Sequence, residues 1–372
     1  MIERFDVKAS IWVLFAVIVS SGLVVRAQHP DIAWSQLAPI DVHTHVFASA
    51  PAWYEMLQKL QLRILDICVL DRYRRGFNDA KAQQSTVLEV FCASQGRAAW
   101  CSTFDPEDWE SPGFSRHVIA DLEKTFDEGA VCVKIWKSIG LDLKSRQGAY
   151  LMPDNPVFDP ILDAIAAHNK TLFAHLAEPS EAWRPLDPSS VYYEYYKANP
   201  DWHLYLHPER PSKESILAAR DRMLQRHPNL RVVGCHLGSM EEDVDEIAKR
   251  LDLYPNFAVD TAARVENLMR QPRDKVRAFL IKYQDRVLYG TDLDLMPWDD
   301  AGQVVKHWES IYERDWNYFA KNGTYEYGKR TFQGLGLPEP VLRKLYHENA
   351  LRWVPGLFGS NITQNRRQKD RY

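Results

Sequence analysis

The chain has 372 residues, of which 45% are hydrophobic and 26% are charged, so it can bury a large core without needing disulfides or a metal to fold. Its formal charge of -4 argues against a nucleic-acid-binding surface, because such proteins concentrate lysine and arginine on one face. These bulk properties predict one barrel-sized domain and no nucleic-acid partner.

The first 27 residues have the pattern of a signal peptide. Arg4 and Lys8 precede an apolar run over residues 11–25, and Ala27 is a small residue at the expected cleavage position. We therefore predict cleavage after Ala27, a periplasmic or extracellular location, and no stable membrane association afterwards. An uncleaved membrane anchor is the alternative, but the run is short for a bilayer span.

From residue 35 to residue 358, short apolar runs rich in β-branched residues alternate with longer segments of helical period. This alternation predicts parallel strands joined by crossover helices, such as those expected near 212–227 and 303–319. The predicted strands are 39–42, 64–70, 99–104, 130–136, 171–174, 231–235, 257–260 and 286–289. Eight strands indicate a closed (β/α)8 TIM barrel. An open doubly wound sheet is the alternative, but no glycine-rich phosphate loop follows the first strand.

Two stretches are longer than ordinary loops, one after strand five (residues 178–211) and one after strand eight (residues 293–338). The first is rich in tyrosine and tryptophan. These rings either stack on a substrate or pack against the barrel rim or a second subunit in a homodimer. The polar tail, residues 359–372, is predicted to be disordered.

Five cysteines lie in or beside apolar stretches, and an odd number without CxxC spacing is typical of buried thiols rather than of a disulfide framework. A single bridge between Cys92 and Cys101 is the alternative in an oxidising compartment.

The first predicted strand runs into Asp41-Val42-His43-Thr44-His45. The two-residue period of a strand places His43 and His45 on one face, where two imidazoles can share a cation. A bare His-x-His is a weak signal on its own. It is strengthened because strands five, six and eight end in His175, His236 and Asp292, and all strand ends meet on one face of a barrel.

These motifs resemble the amidohydrolase superfamily, and specifically its amidohydrolase-related branch, which contains both hydrolases and non-oxidative decarboxylases. The resemblance covers residues 40–357 and rests on 41–45 (DVHTH), His175, 236–239 (HLGS), 289–292 (YGTD) and 347–352 (HENALR). It implies that His43, His45 and His175 bind a metal and that Asp292 contacts both metal and attacking water. His236 resembles the strand-six histidine that either binds a second metal or polarises the substrate.

Strand four ends in Lys134, and Lys137 lies just beyond it. In binuclear relatives a carboxylated lysine on this strand bridges two metals, whereas in mononuclear members of the branch a lysine at the Lys134 position pairs with carboxylates. Both arrangements stay open. We predict one divalent ion, with two as the alternative. Three imidazoles and a carboxylate suit zinc.

The predicted reaction is hydrolysis of an ester, lactone or amide bond of a small molecule by metal-bound hydroxide, with Asp292 moving the proton and His236 stabilising negative charge. Non-oxidative decarboxylation of an aromatic or unsaturated acid is one alternative. A non-catalytic exported binding protein is another. Glu178, Arg72 and Arg264 are candidate substrate-binding residues on the catalytic face, and ordinary loop or helix-entry roles are their alternatives.

Overall fold

The structure is a computed structural model that describes residues 32–328 and 330–359. The predicted signal peptide (1–27) and all but the first residue of the predicted tail lie outside the described residues. Within the described ranges, no helix is both long and apolar enough to cross a membrane.

The centre of the fold is a curled sheet of nine parallel strands in the order β8-β7-β6-β5-β4-β3-β2-β1-β9. The strands are β1 (Ile40–Val46), β2 (Arg63–Ile67), β3 (Ala98–Thr103), β4 (Cys132–Ile135), β5 (Thr171–Ala174), β6 (Arg231–Gly234), β7 (Phe257–Asp260), β8 (Val287–Leu288) and β9 (Leu293–Leu295). β8 and β9 are two parts of the eighth strand position. The Val42 amide donates to the Tyr289 carbonyl at 3.0 Å and the Asp292 amide donates to the His43 carbonyl at 2.8 Å, so the sheet closes between them.

This closed sheet with its helices confirms the predicted (β/α)8 barrel, and each of the eight predicted strands overlaps an observed one. The helices are α1 (Pro51–Lys59), α2 (Ala80–Ala93), α3 (Phe114–Asp127), α4 (Ser138–Leu141), α5 (Asp159–Ala167), α6 (Tyr193–Ala198), α7 (Lys213–Arg226), α8 (Cys235–Gly238), α9 (Val244–Leu253), α10 (Val265–Met269), α11 (Arg273–Lys282), α12 (Ala301–Ala320), α13 (Glu339–Arg343) and α14 (Asn349–Trp353). A π-helical turn, Lys344–Glu348, joins the last two.

The strands form because their short apolar runs are buried on both faces. Val42, Phe173 and Val233 are fully buried in one apolar cluster, while Ile161 and Ile165 of α5 belong to the larger cluster under the helices. Full burial of each such side chain contributes about 1.5–3 kcal/mol. This packing fixes the strand ends relative to one another.

The two long insertions are partly structured. Residues 178–211 contain α6 and several short 3₁₀ turns, and residues 293–338 contain β9, α12 and an antiparallel hairpin of β10 (Thr324–Tyr327) and β11 (Arg330–Gln333). Cys101 is a free buried thiol, so the structure does not contain the alternative Cys92–Cys101 bridge.

Candidate metal centre

The two histidines of β1 are held by hydrogen bonds at their Nδ1 atoms. His43 Nδ1 lies 2.8 Å from Asp260 Oδ2, and His45 Nδ1 lies 2.7 Å from the Ile67 carbonyl. Both partners are acceptors, so each Nδ1 carries the hydrogen and each neutral ring has a bare Nε2. Such outer contacts orient metal-binding histidines and fix their tautomer.

Asp292 completes a trio with these histidines. Its Oδ1 lies 3.3 Å from Nε2 of His43 and 3.3 Å from Nε2 of His45. The three atoms lie within 4.8 Å of one another, and both Nδ1 hydrogens are directed elsewhere, so a cation among them would offset the repulsion of their lone pairs. Two imidazoles and a carboxylate are suitable ligands for a divalent metal ion, so these residues fit the predicted centre.

His175 and His236 face each other instead of joining that trio. His175 Nδ1 is 3.1 Å from His236 Nε2, and His236 Nδ1 is 2.9 Å from the Ala262 carbonyl. Because the carbonyl accepts from His236 Nδ1, a neutral His236 accepts at Nε2 and His175 donates. His175 Nε2 then has a lone pair and, among the described residues, no hydrogen-bond partner. The role of His175 as a metal ligand stays a prediction.

Lys134 lies beneath the β1 histidines and is fully buried. Its Nζ is 3.1 Å from both His43 Nε2 and Cys235 Sγ. His43, Cys235 and Asp260 form a second group whose potential ligand atoms lie within 4.8 Å of one another. The lysine ammonium is therefore the cation that the structure places beside this second group.

Close packing and strained backbone hold the strand ends in place. A Cβ atom on Gly290 would lie 2.9 Å from His43 Cβ, so only glycine fits there without displacing the histidine. His236 and Asp292 have φ values of 59° and 67°, in the left-handed region. Such conformations cost about 1–3 kcal/mol each in non-glycine residues and concentrate at functional sites.

Charges and burial set the protonation of the site. Burial raises the pKa of Asp292, but the opposing effect of the His236, His45 and His43 imidazoles is larger. The pKa of Asp292 is therefore well below its usual value. Burial, aided by the Arg264 guanidinium, lowers the pKa of His236 well below its usual value. The aspartate is therefore ionised and the imidazole neutral near pH 7.

A cavity of about 270 Å³ opens above the centre, and its lining includes Asp292, His175 and His236. Lys137 and Glu178 also line it and form a buried ion pair. Tyr195 accepts a 2.8 Å hydrogen bond from Lys137 Nζ, so the lysine is shared between a carboxylate and a phenol.

The three arginines near the cavity differ in their partners. Arg264 lines the cavity with its side chain only 9% exposed. Arg74 also lines it and is paired with Asp294 at 2.5 Å. Arg72 lies at a neighbouring depression, where its Nη2 contacts Asp142 at 2.5 Å. The structure thus brings one of the two predicted arginines, Arg264, to the cavity.

Asp260 is a site residue that the strand-end pattern in the sequence offers but that was not among the predicted ligands. It ends β7, accepts from His43 Nδ1, and also accepts from the His236 amide at 2.7 Å. Burial raises the pKa of Asp260, but the charge and hydrogen bond of His43 outweigh this effect. The pKa of Asp260 is therefore below its usual value, and the carboxylate is charged. Asp260 could have been found in the same way as His175, His236 and Asp292, because the ends of all barrel strands meet on one face.

The fold is an α/β barrel, and its strand ends carry a trio of residues that could hold a cation beside a cavity at the carboxyl face. The sequence matches the family described as amidohydrolase over residues 40–356. The chain belongs to the amidohydrolase family. No curated protein matches it.

Solved structures with a similar fold share little sequence with the chain. An uncharacterized TIM-barrel protein from Bordetella bronchiseptica has a TM-score of 0.50 at 14% identity, covering 86% of this chain and 99% of that one. A 5-carboxyvanillate decarboxylase from Sphingomonas paucimobilis has a TM-score of 0.45 at 16% identity, covering 86% and 99%. A dihydroorotase from Campylobacter jejuni has a TM-score of 0.47 at 12% identity, covering 85% and 82%. At such identities the likeness concerns the fold alone.

Proposed function

We propose that the protein is a metal-dependent hydrolase that cleaves an ester, lactone or amide bond of a small molecule. The observation that carries the proposal is the trio of His43 Nε2, His45 Nε2 and Asp292 Oδ1, which lie within 4.8 Å of one another. His45 and Asp292 also line the cavity. An ionised carboxylate beside a cation site suits a reaction that removes a proton from water.

The ion that we propose is a single Zn²⁺, held by His43, His45 and Asp292 with His175 as the fourth ligand. Nitrogen and carboxylate donors are typical of zinc sites, and zinc can expand to five ligands, which would leave room for water beside these four. Bound there, it would supply a Lewis acid that lowers the pKa of water to about 7. Support for one ion rather than two comes from Lys134, whose ammonium lies 3.1 Å from His43 Nε2 and Cys235 Sγ.

Asp292 is the proton carrier in this proposal. Its side chain is 31% exposed and lines the cavity, so it is the most exposed member of the trio. Being ionised, it accepts a proton from water and returns that proton to the leaving group. The left-handed backbone at this residue aims the carboxylate at the histidines of β1.

His236 and Lys137 stabilise charge around the substrate. His236 is neutral and hydrogen-bonded at Nδ1 to the Ala262 carbonyl, which fixes its ring beside His43 with centroids 4.9 Å apart. Lys137 is held between Glu178 and Tyr195 at the cavity wall. Fixed dipoles and charges of this kind need no reorganisation during the reaction.

The test is a substrate screen run in ¹⁸O-labelled water. Zinc-loaded protein is incubated with small esters, lactones, amides and aromatic acids, and products are analysed by mass spectrometry with carbon dioxide monitored in parallel. We expect one ¹⁸O atom in the product acid, and loss of that activity in Asp292→Asn. Stoichiometric carbon dioxide release without ¹⁸O incorporation would instead establish the decarboxylase alternative.

A further inference from the structure

We propose that the opposite face of the barrel, where the strands begin, has a second binding site that takes a phosphate-type anion through Arg63 and Arg97. The two side chains line an open cavity of about 490 Å³. Arg63 is the first residue of β2, and Arg97 directly precedes β3. The candidate metal centre lies at the strand ends on the other face, so this site does not depend on the proposed hydrolysis.

Hydrogen-bond donors dominate the lining of this cavity. Besides the two arginines, the described residues that line it are Gly96 and three glutamines, Gln58, Gln61 and Gln95. None of these lining residues has a carboxylate side chain. A guanidinium has five N–H donors and no acceptor, and a glutamine amide has two N–H donors. The cavity therefore offers an anion many donors and no acidic side chain.

The two arginines are not neutralised by the protein. Within residues 32–328 and 330–359, neither Arg63 nor Arg97 forms an ion pair. Arg63 Cζ lies 4.5 Å from the centre of the Phe358 ring, and Arg97 Nη1 donates to the Leu62 carbonyl at 3.4 Å. Burial, aided by the positive Arg97 guanidinium, lowers the pKa of Arg63 below its usual value. An anion between the two guanidiniums would relieve their repulsion.

The ends of two helices oppose this positive charge only in part. Gln58 lies in the last turn of α1, and Gln95 follows the end of α2, so both helices end beside the cavity. The C-terminus of a helix carries roughly half a negative charge, so the two helices offset about one of the two arginine charges. About one positive charge remains for a ligand to neutralise.

Further cations lie at other strand starts on the same face. Lys170 precedes β5, Arg231 begins β6 and Arg286 precedes β8. In the part of the chain that the structure describes, the hydrogen bonds of these side chains go to uncharged groups, mainly main-chain carbonyls. Burial lowers the pKa of all three below its usual value. Unneutralised charges of one sign on one face raise the local concentration of anions.

Phosphate is the anion that suits these donors best. Its oxygens accept two parallel hydrogen bonds from a planar guanidinium, which is why arginine is favoured at phosphate sites. The cavity volume of about 490 Å³ leaves room for an organic group attached to the phosphate. The ligand chemistry is therefore a phosphate monoester, carried either by a free small molecule or by a lipid headgroup.

The test compares glycerol 3-phosphate with glycerol, which has the same carbon skeleton but no phosphate. Binding to full-length, zinc-loaded protein is measured by isothermal titration calorimetry in low salt at about pH 8, well above the second pKa of a phosphate monoester. We expect wild type to bind glycerol 3-phosphate at least about tenfold more tightly than glycerol. Arg63→Gln and Arg97→Gln should each weaken binding of glycerol 3-phosphate at least about tenfold, because each removes a charge-assisted contact.

Two controls separate this site from general charge effects and from the metal centre. Arg116→Gln removes one positive charge from an exposed position of α3 that does not line the cavity. His45→Ala removes a proposed zinc ligand on the other face. Both variants should keep the wild-type affinity for glycerol 3-phosphate.

Four outcomes overturn the proposal. The first is equal affinity of wild type for the two ligands, including no detectable binding of either. The second is wild-type affinity in either arginine variant of the cavity. The third is an equal loss in Arg116→Gln, which would reduce the effect to net charge. The fourth is loss of binding in His45→Ala, which would place the anion at the metal centre.

A second experiment distinguishes the two sources of the phosphate. Full-length protein is sedimented with vesicles of phosphatidylcholine alone or of phosphatidylcholine mixed with phosphatidic acid, whose headgroup is a phosphate monoester. Co-sedimentation that requires both phosphatidic acid and Arg63 would identify a lipid headgroup as the ligand. Arginine-dependent binding of glycerol 3-phosphate without co-sedimentation would identify a free phosphorylated molecule.

Discussion

The β1 side of the site and the β5–β7 side differ in how completely their polar groups are paired. On the β1 side, His43 and His45 each donate from Nδ1 to a fixed acceptor. On the other side, His175 Nε2, Arg264 Nε and both oxygens of Glu241 are buried without hydrogen-bond partners among the described residues. An unpaired buried polar group costs about 1–3 kcal/mol.

The two sides of the site therefore differ in what organises them. The β1 side is organised by the protein itself, so its histidine orientations are set once the barrel folds. The β5–β7 side has donors and acceptors that no described residue satisfies. We propose that a ligand adds contacts on this side, and that the ion is held by the β1 histidines and Asp292 together with His175. We therefore propose that one wall of the cavity holds histidines in fixed orientations and that the other wall recognises the ligand.

Among the variants on the β1 side, His45→Ala should have the largest effect on zinc binding and activity. It removes one proposed zinc ligand but leaves only the Ile67 carbonyl without its partner, so the barrel should still fold. We expect zinc affinity to fall at least about 100-fold and hydrolysis at least about 1000-fold, because the ion supplies the activated water. Metal analysis after dialysis, with circular dichroism as the folding control, checks this. Stoichiometric zinc in the variant would contradict the assigned trio.

Glu241→Gln tests the unpaired side through its pH dependence. Burial raises the pKa of Glu241 to about 7, against the lowering effects of Lys213 and Arg264. Because the folded protein then binds more protons than the unfolded chain between about pH 4.5 and 7, stability from neutral Glu241 is lost as pH rises through that window. Relative to wild type, the variant should gain about 3 kcal/mol of unfolding free energy across it.

Urea denaturation at about pH 4.5 and about pH 8, in the same zinc-containing buffer, measures this difference between variant and wild type. Glu246→Gln is the matched control, since hydrogen bonds from Lys249 and Arg250 lower the pKa of Glu246 and its titration falls below the window. A Glu241→Gln difference that does not change with pH would show that Glu241 is ionised throughout.

Asp260→Asn tests how far the β1 side depends on its outer contact. The amide can still accept from His43 Nδ1 but without the negative charge, so the imidazole becomes a weaker ligand. We expect zinc affinity to fall about 10–100-fold, measured by competition with a chelator. Asp163→Asn, which changes an aspartate 2.8 Å from His227 Nδ1, is the matched control and should keep wild-type zinc affinity. Equal effects of the two variants would contradict the role of Asp260.

The smallest effect is expected for Arg72→Gln. Its side chain is 46% exposed and already paired with Asp142 and Glu107, and exposed ion pairs contribute little. We expect KM for the substrate found in the screen to change less than about twofold. A larger rise in KM would show that the substrate extends beyond the cavity to this arginine.

Much of the architecture could be predicted from the sequence because it depends on local periodicity. Apolar runs of strand length alternate with helical patterns, and the two-residue period puts His43 and His45 on one face. The helix predicted near residues 212–227 is α7, and its N-cap residue Ser212 accepts a hydrogen bond from the Ser215 amide. The start of α3 is less predictable, because Gly113 is its N-cap residue and the nearby Ser115 hydroxyl donates to the Val157 carbonyl instead of capping the helix.

What the sequence by itself determined was the list of strand-end residues able to hold a cation, and with it the family. Only the tertiary structure decided that Asp260 supports His43, that His175 faces His236, and that Arg264 lines the cavity while Arg72 does not. The physical reason is that these properties depend on distances between groups on different strands and loops. Periodicity specifies which way a side chain points from its own strand, but hydrogen bonds and charge neutralisation depend on what closure of the barrel brings opposite it.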